Sequence, residues 1–214
     1  MKVISLISSK GGVGKSTIAL NVAVAANSED LFVAVIDSDP QRSLSDWRKV
    51  RGKVGRGVNP DVVPIVAERI PSAIDTARRG GLDLVIIDTQ GRAGGPELAT
   101  AIEVSDLILI PVGVGGFDIM ASRKTLQVLG SHDALGKSVA MLSAAPGSAK
   151  EEARARSDLV KLGLDVLDAK TTNRAIYRQS VGDGSSAVEV DPGGKAAEEI
   201  MALWSEIKGR IGGE

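Results

Sequence analysis

The 214-residue chain has no cysteine, one histidine (His132) and few aromatics: two Trp, two Phe and one Tyr. Without cysteine there is no disulfide, no thiolate nucleophile and no iron–sulfur ligation, which fits a reducing compartment. One histidine rules out a histidine-rich metal centre. So few aromatics argue against the base-stacking platforms of single-strand binders. No apolar run approaches the about 18 residues that a membrane span needs. The first residues carry one lysine before a strand-like stretch and no cleavage-type segment, so no secretory signal is expected. The net charge of −1 excludes a globally basic nucleic-acid coat. These absences predict a soluble cytoplasmic protein.

What is present is concentrated in residues 10–17: Lys10, Gly11, Gly12, Val13, Gly14, Lys15, Ser16 and Thr17. They follow an apolar run (Val3, Ile4, Leu6, Ile7) and precede a helical pattern (Ile18, Ala19, Leu20, Val22, Ala23). A strand, a glycine turn and a helix N-terminus form the context of a phosphate-binding loop. Glycines let backbone N–H groups turn toward phosphate oxygens, and the helix end adds a favourable dipole. Lys15 is expected to reach the β- and γ-phosphates of ATP and Ser16 to hold Mg²⁺. The loop departs from the usual pattern, with Ser9 where a glycine is standard and an additional lysine at position 10. Lys10 cannot easily serve the same oxygens as Lys15 from the same side. It is expected to reach across a homodimer interface to the other subunit's nucleotide, the alternative being a solvated lysine at a strand end.

Along the chain, apolar runs alternate with helical patterns, as in βαβ units around a parallel sheet. Strands are predicted near 2–8, 32–37, 62–67, 83–88, 106–112 and 137–143, with a short one near 164–167. Helices are predicted over 15–27, 41–51, 70–79, 95–103, 118–130, 149–162, 173–181 and 194–209. Continuous apolar strands such as Leu84-Val85-Ile86-Ile87 and Leu107-Ile108-Leu109-Ile110 predict helices on both faces. The expected fold is α/β: a P-loop NTPase with a mostly parallel twisted sheet, in one domain over 1–214.

Two carboxylate clusters complete the expected site. The second strand ends in Asp37-Ser38-Asp39-Pro40-Gln41, at the sheet edge where open α/β sheets bind ligands. Asp39 is expected to orient the attacking water and Asp37 to support Mg²⁺ or a switch loop, against the plainer reading of an Asp-Pro turn capping a helix. Asp88, after four apolar residues, is placed to hold Mg²⁺ as a Walker-B aspartate. Gln90-Gly91-Arg92-Ala93-Gly94-Gly95 suits a loop that senses the γ-phosphate, and Gln90 or Arg92 is as well explained by solvation as by a contact.

The loop Lys10–Thr17, the run Asp37–Gln41 and Asp88 together resemble the deviant-Walker ATPases of the ParA/MinD group, over essentially the whole chain. The chain is most similar to small plasmid-partition ATPases of the ParF kind. Further points of similarity are Met1–Ser5, Ser43-Leu44-Ser45-Asp46-Trp47, Val104-Ser105-Asp106-Leu107 leading to Ile110-Pro111-Val112, Asp118, Arg174–Arg178 and Gly182–Ser185. The resemblance implies a homodimer closed around two ATP molecules, with Lys10 on the partner's nucleotide and Asp39 positioning water. It implies ATP-dependent binding of non-specific double-stranded DNA, and release when a ParB-like, centromere-binding or organelle-positioning adaptor stimulates hydrolysis. The output is segregation or spacing of a plasmid, chromosome or organelle, with nucleoid association. Two departures stand out. Gln90-Gly91-Arg92 replaces the paired prolines frequent in the family, and the chain starts at its first strand, without a helix-turn-helix extension.

Candidate DNA contacts fall in two groups. Residues 42–56 include Arg48, Lys49 and Arg51 and carry a local balance of +5, leaving −6 on the rest. The second group is Lys150, Arg154, Arg156, Lys170, Arg174 and Arg178, which the resemblance favours; a solvated helix face is the plainer reading of either. A MinD-like membrane-associated division regulator would need a basic amphipathic C-terminal helix. The stripe Ile200, Leu203, Trp204, Ile207 and Ile211 is instead flanked by Glu198, Glu199 and Glu206, so core packing and no stable membrane association are expected. A metabolic P-loop ligase or kinase is the other alternative, with no substrate pocket identifiable from sequence.

Overall fold

A computed structural model describes residues 1–57, 59–91 and 94–212, with the backbone alone at Pro96. Seven strands form one sheet in the order β3-β2-β4-β1-β5-β6-β7, and every pairing is parallel. They are β1 Lys2–Leu6, β2 Val33–Asp37, β3 Asp61–Pro64, β4 Leu84–Asp88, β5 Leu107–Val112, β6 Ser138–Ala145 and β7 Asp165–Thr172. The helices are α1 Lys15–Asn27, α2 Ser43–Lys53, α3 Ile70–Arg79, α4 Pro96–Val104, α5 Gly116–Ser131, α6 Ala149–Lys161, α7 Ala175–Gly182, α8 Ala187–Val190 and α9 Lys195–Ile211.

Side-chain alternation along the strands sorts the core into two layers. Leu84 and Ile86 of β4, with Ile4 and Leu6 of β1, pack under α1, α2, α7, α8 and α9. Val85 and Ile87, with Val3 and Ile36, face α3 and α4. Ile108 and Ile110 of β5 and Ala140 and Leu142 of β6 meet α5 and α6 on that same second face. Strands covered on both sides must be apolar at every position, which is why these runs show no period of two.

The C-terminal helix α9 commits its stripe to this core: Ile200, Leu203, Trp204 and Ile207 are fully buried. That apolar face is therefore not available to lipid. Among the described residues no helix is long and apolar enough to cross a membrane.

The outer strands are treated differently. On β7, the backbone N–H groups of Asp168 and Ala169 donate to Glu206, and that of Thr172 donates to Glu199, both on α9. Arg156 donates to the carbonyls of Leu167 and Asp168. The edge is thus closed by side chains, and edge strands left open invite pairing with other chains. This is why β7 runs over eight residues where the sequence predicts a short strand near 164–167: alternation with Asp165, Asp168 and Lys170 hides it. The four-residue α8 falls outside the predicted helices; it is nucleated in a Gly/Ser-rich stretch by a capping box between Ser186 and Glu189.

Candidate nucleotide-binding site

The loop between β1 and α1 lies at the C-terminal edge of the sheet, with β1 flanked by β4 and β5. Gly12 and Gly14 have φ of 75° and 85°, the left-handed region that glycine enters without strain. Gly14 caps α1, so the N–H groups of the first helical turn open toward the loop. The loop is pinned on two sides. The Ser143 hydroxyl of β6 donates to the Val13 carbonyl at 2.7 Å. Ser9 donates its N–H to Thr125 Oγ1 at 3.1 Å and its hydroxyl to the Ala121 carbonyl at 2.7 Å, both on α5.

Lys15, the first residue of α1, is 7% exposed, and burial lowers its pKa against the opposing pull of Asp88 and Asp39. A buried ammonium is costly without opposite charge nearby, and Asp88 and Asp39 supply it here. Lys10 lies at the opposite end of the loop, and its ammonium is held by the carboxylate of Asp118 in the first turn of α5. The same carboxylate accepts the Gly115 N–H at 3.2 Å. A Cβ at Gly113 would sit 2.6 Å from that carboxylate, so glycine there makes room for it. Asp118 stands in the sequence only as a point of family similarity; that its carboxylate meets Lys10 is legible only in the fold.

Asp37 and Asp88 end neighbouring strands and are register partners. Asp37 Oδ2 accepts the Ser45 N–H at 2.9 Å and its hydroxyl at 2.8 Å, which ties β2 to the start of α2. Its Oδ1 is buried without a donor, and so are both oxygens of Asp88, which is 1% exposed. Burial pushes Asp88 up to about 7, against the nearby Ser16 hydroxyl, which lies outside hydrogen-bonding geometry, and Lys15. Asp39 is half-exposed, with Oδ1 accepting the Gln41 N–H at 2.9 Å. Among the described residues no three carboxylates or histidines converge on one point. The side chains here that could hold a divalent ion are Asp37 and Asp88, through their donor-free oxygens, with the Ser16 hydroxyl nearby; water and phosphate would have to supply the remaining ligands.

The loop after β4 closes over this centre. A Cβ on Gly91 would come within 2.8 Å of Gly11 Cα and 3.2 Å of the Lys15 ammonium. Only glycine permits that approach, which gives a physical reason for the departure from proline. Arg92 lies outside the described residues.

On the far side of the loop a cavity of about 200 Å³ is bounded by Gly12, Thr17, Ala144, Asn173, Tyr177 and Arg178. Ala144 sits at φ 50°, a left-handed conformation that is uncommon for alanine, where a bulge re-aims the end of β6. Sequence reasoning identifies no such wall, because the residues come from β6, β7 and α7 and meet only in the fold.

The expected DNA contacts separate on inspection. Arg51 turns inward: it is 4% exposed, lies 5.0 Å from the Trp47 ring centroid and pairs bidentately with Glu189 at 2.7 and 3.0 Å. That corrects its expected place on a phosphate-binding surface, because a guanidinium buried against Trp47 and Glu189 is not presented to DNA. Lys170 pairs with Glu152, Arg156 is tied to β7, and Arg174 donates to Glu199 at 2.8 and 2.9 Å beside the cavity. Arg48 reaches Asp61 at 3.3 Å and Lys49 reaches Asp46 at 2.8 Å, both at the surface. Arg154 and Arg178 are exposed.

Residues 4–208 match the model of the CobQ/CobB/MinD/ParA nucleotide binding domain. A "Maintenance of carboxysome distribution protein A" from Gloeobacter kilaueensis is 26% identical over 207 residues, covering 96% of this chain and 92% of the relative. A "Protein ParA" from Rhizobium radiobacter is 28% identical over 187 residues, covering 83% and 81%. Among solved structures, the septum site-determining protein MinD complexed with Mg-ADP from Pyrococcus horikoshii superimposes with a TM-score of 0.74 at 18% identity, covering 96% of this chain and 95% of that one.

Proposed function

We propose that this chain, which belongs to the CobQ/CobB/MinD/ParA nucleotide-binding family, is a positioning ATPase that works as an ATP-dependent dimer switch. In this reading the triphosphate lies over the Gly11–Thr17 loop, with Lys15 on the β- and γ-oxygens and the base directed to the cavity beside Asn173 and Tyr177. Ser16, Asp37 and Asp88 would hold Mg²⁺, which would supply neutralisation of the phosphate charge. Asp39 orients the water, and Lys10 leaves Asp118 to contact the nucleotide of the second copy.

The observation that carries this reading is the convergence of a buried Lys15 with two adjacent carboxylates whose inward oxygens have no donor. Unpaired buried carboxylates are costly, and a cation is the partner that offsets the cost. The family is one of nucleotide-binding ATPases, and the name of the carboxysome-distribution relative speaks for a positioning role. We place the dimer on double-stranded DNA without sequence preference, with the exposed Arg154, Arg178 and Lys49 and the partly buried Arg48 as the remaining candidates. An adaptor stimulates hydrolysis and release, and the cargo is a plasmid, chromosome or organelle moved over the nucleoid in the cytoplasm.

The test is retention on unrelated duplex DNA with ATP, ADP or no nucleotide, across a salt series. Retention that needs ATP and falls steeply with salt supports the reading, because phosphate neutralisation releases counterions. Asp39→Ala is expected to bind ATP, fail to hydrolyse it and stay on DNA. Wild-type hydrolysis by that variant would remove Asp39 from its role, and nucleotide-independent retention would remove the switch.

A further inference from the structure

The long helix α5 has two unlike faces. Its inner face holds the start of the phosphate loop, through Ala121 and Thr125 on Ser9 and Asp118 on Lys10. Its outer face presents Phe117 at 84% and Met120 at 63% exposure, one helical turn apart. Large apolar side chains left that open and side by side mark an interaction site more often than a solvated surface.

Beside them lies a groove of about 690 Å³ between α5 and α6. Its walls carry Arg123 from α5 and Arg154, Asp158 and Lys161 from α6. Asp158 is shared between Arg154 at 3.8 Å and Lys161 at 3.4 Å, whereas Arg123 has no ion pair among the described residues. The rim is therefore basic around an apolar floor.

We propose that this groove docks an acidic amphipathic helix of a partner protein. Helix-in-groove recognition asks for apolar anchors at helical spacing, which Phe117, Met120 and the partly buried Ile119 would receive. The basic rim selects glutamate or aspartate on the flanks of the incoming helix. A second copy is a poor occupant, since an isologous contact through this groove would set two basic rims against each other. Duplex DNA would satisfy the rim and leave Phe117 and Met120 against water or phosphate. A helix seated here bears on the element that anchors Ser9 and Lys10, so its docking is coupled to the phosphate loop. The lining of the groove comes from a single copy, so the docking is tested first without nucleotide.

The probe is a fluorescein-labelled helical peptide with leucine on one face and glutamate on the other, titrated into the full chain and followed by anisotropy. Saturable binding that weakens with salt is expected, and a leucine/lysine peptide of the same pattern should not bind. Phe117→Ser with Met120→Ser should weaken binding at least about tenfold, as for interface anchors. Arg123→Glu with Lys161→Glu should do the same, and both pairs are exposed enough to leave the melting curve in place. The proposal is overturned by absence of saturable binding, by equal binding of the lysine peptide, or by indifference to both variant pairs. It is also overturned if the serine pair alters self-association in sedimentation but not peptide binding, which assigns the face to a second copy. Retention on phosphatidylserine vesicles that the same substitutions abolish would assign it to lipid and overturn it likewise.

Discussion

Lys10 and Asp118 stand 108 positions apart in the chain and form an ion pair at the mouth of the phosphate loop. The lysine side chain is 41% exposed and the aspartate 19%, so water screens the contact and it contributes in the range of a surface pair, about 0.2–1 kcal/mol. That is weak enough to break when a better anion arrives. In the proposed dimer, Asp118 would compete with a second subunit's nucleotide for the same ammonium.

Asp118→Asn keeps an acceptor for the Gly115 N–H and removes the charge. ATP-dependent dimerisation should tighten by up to about fivefold, the equivalent of about 1 kcal/mol. Lys10→Ala should abolish dimerisation while nucleotide still binds. Sedimentation with a non-hydrolysable analogue measures both, and a weaker Asp118→Asn dimer would assign the aspartate to positioning Lys10 rather than restraining it.

Arg51 separates a structural cation from a surface one. Its guanidinium spans Glu189 and the carbonyls of Asn59 and Gly184, stitching α2 to the segment around α8. Arg51→Ala would leave Glu189 half-buried without its partner, and breaking a buried pair costs about 3–5 kcal/mol. Denaturant unfolding should show that loss, with DNA retention per folded molecule unchanged. Lys49→Ala should behave in the opposite way, with stability preserved and the salt slope of DNA binding shallower.

The contrast shows what the sequence carries. Runs such as Leu84–Ile87 announce themselves because burial on both faces demands apolar residues throughout, and the glycine loop because phosphate binding demands that spacing. Asp37 and Asp88 follow, since each ends a readable strand. Arg51 looks like its neighbours Arg48 and Lys49, because the partner that draws it inward is Glu189, 138 positions away. The pairing of Asp118 with Lys10, the left-handed Ala144 and the cavity wall are invisible for the same reason: their meaning lies in long-range contacts that leave no local period.

Gly91 tests how tightly the loop after β4 seats on the phosphate loop. A methyl group at this position would lie 2.8 Å from Gly11 Cα, so alanine cannot be accommodated without movement of backbone. Overpacking of this kind costs about 1–3 kcal/mol, which falls on the seated arrangement alone. Gly91→Ala should thus speed amide exchange across residues 9–12 while the global melting temperature moves little. Unchanged exchange at Lys10 and Gly11 would show that the loop is not held there.

Glu199 is expected to contribute to the acid limb of stability. Burial raises its pKa, but Arg174, the backbone and hydroxyl of Thr172 and the Tyr177 hydroxyl together outweigh burial and hold it below the usual carboxylate value. A folded-state value below the unfolded one means the folded chain binds the proton less readily. The contribution is therefore fully present above the unfolded value of about 4.5 and is lost as pH falls through the folded one. Glu199→Gln should lower stability at neutral pH by about 1–3 kcal/mol, the range for losing charged hydrogen bonds. As pH falls through and below about 4.5, by contrast, the variant should lose less stability than wild type, because the titrating group is gone. Parallel acid limbs for the two proteins, followed by urea unfolding at each pH, would show that another carboxylate controls that window.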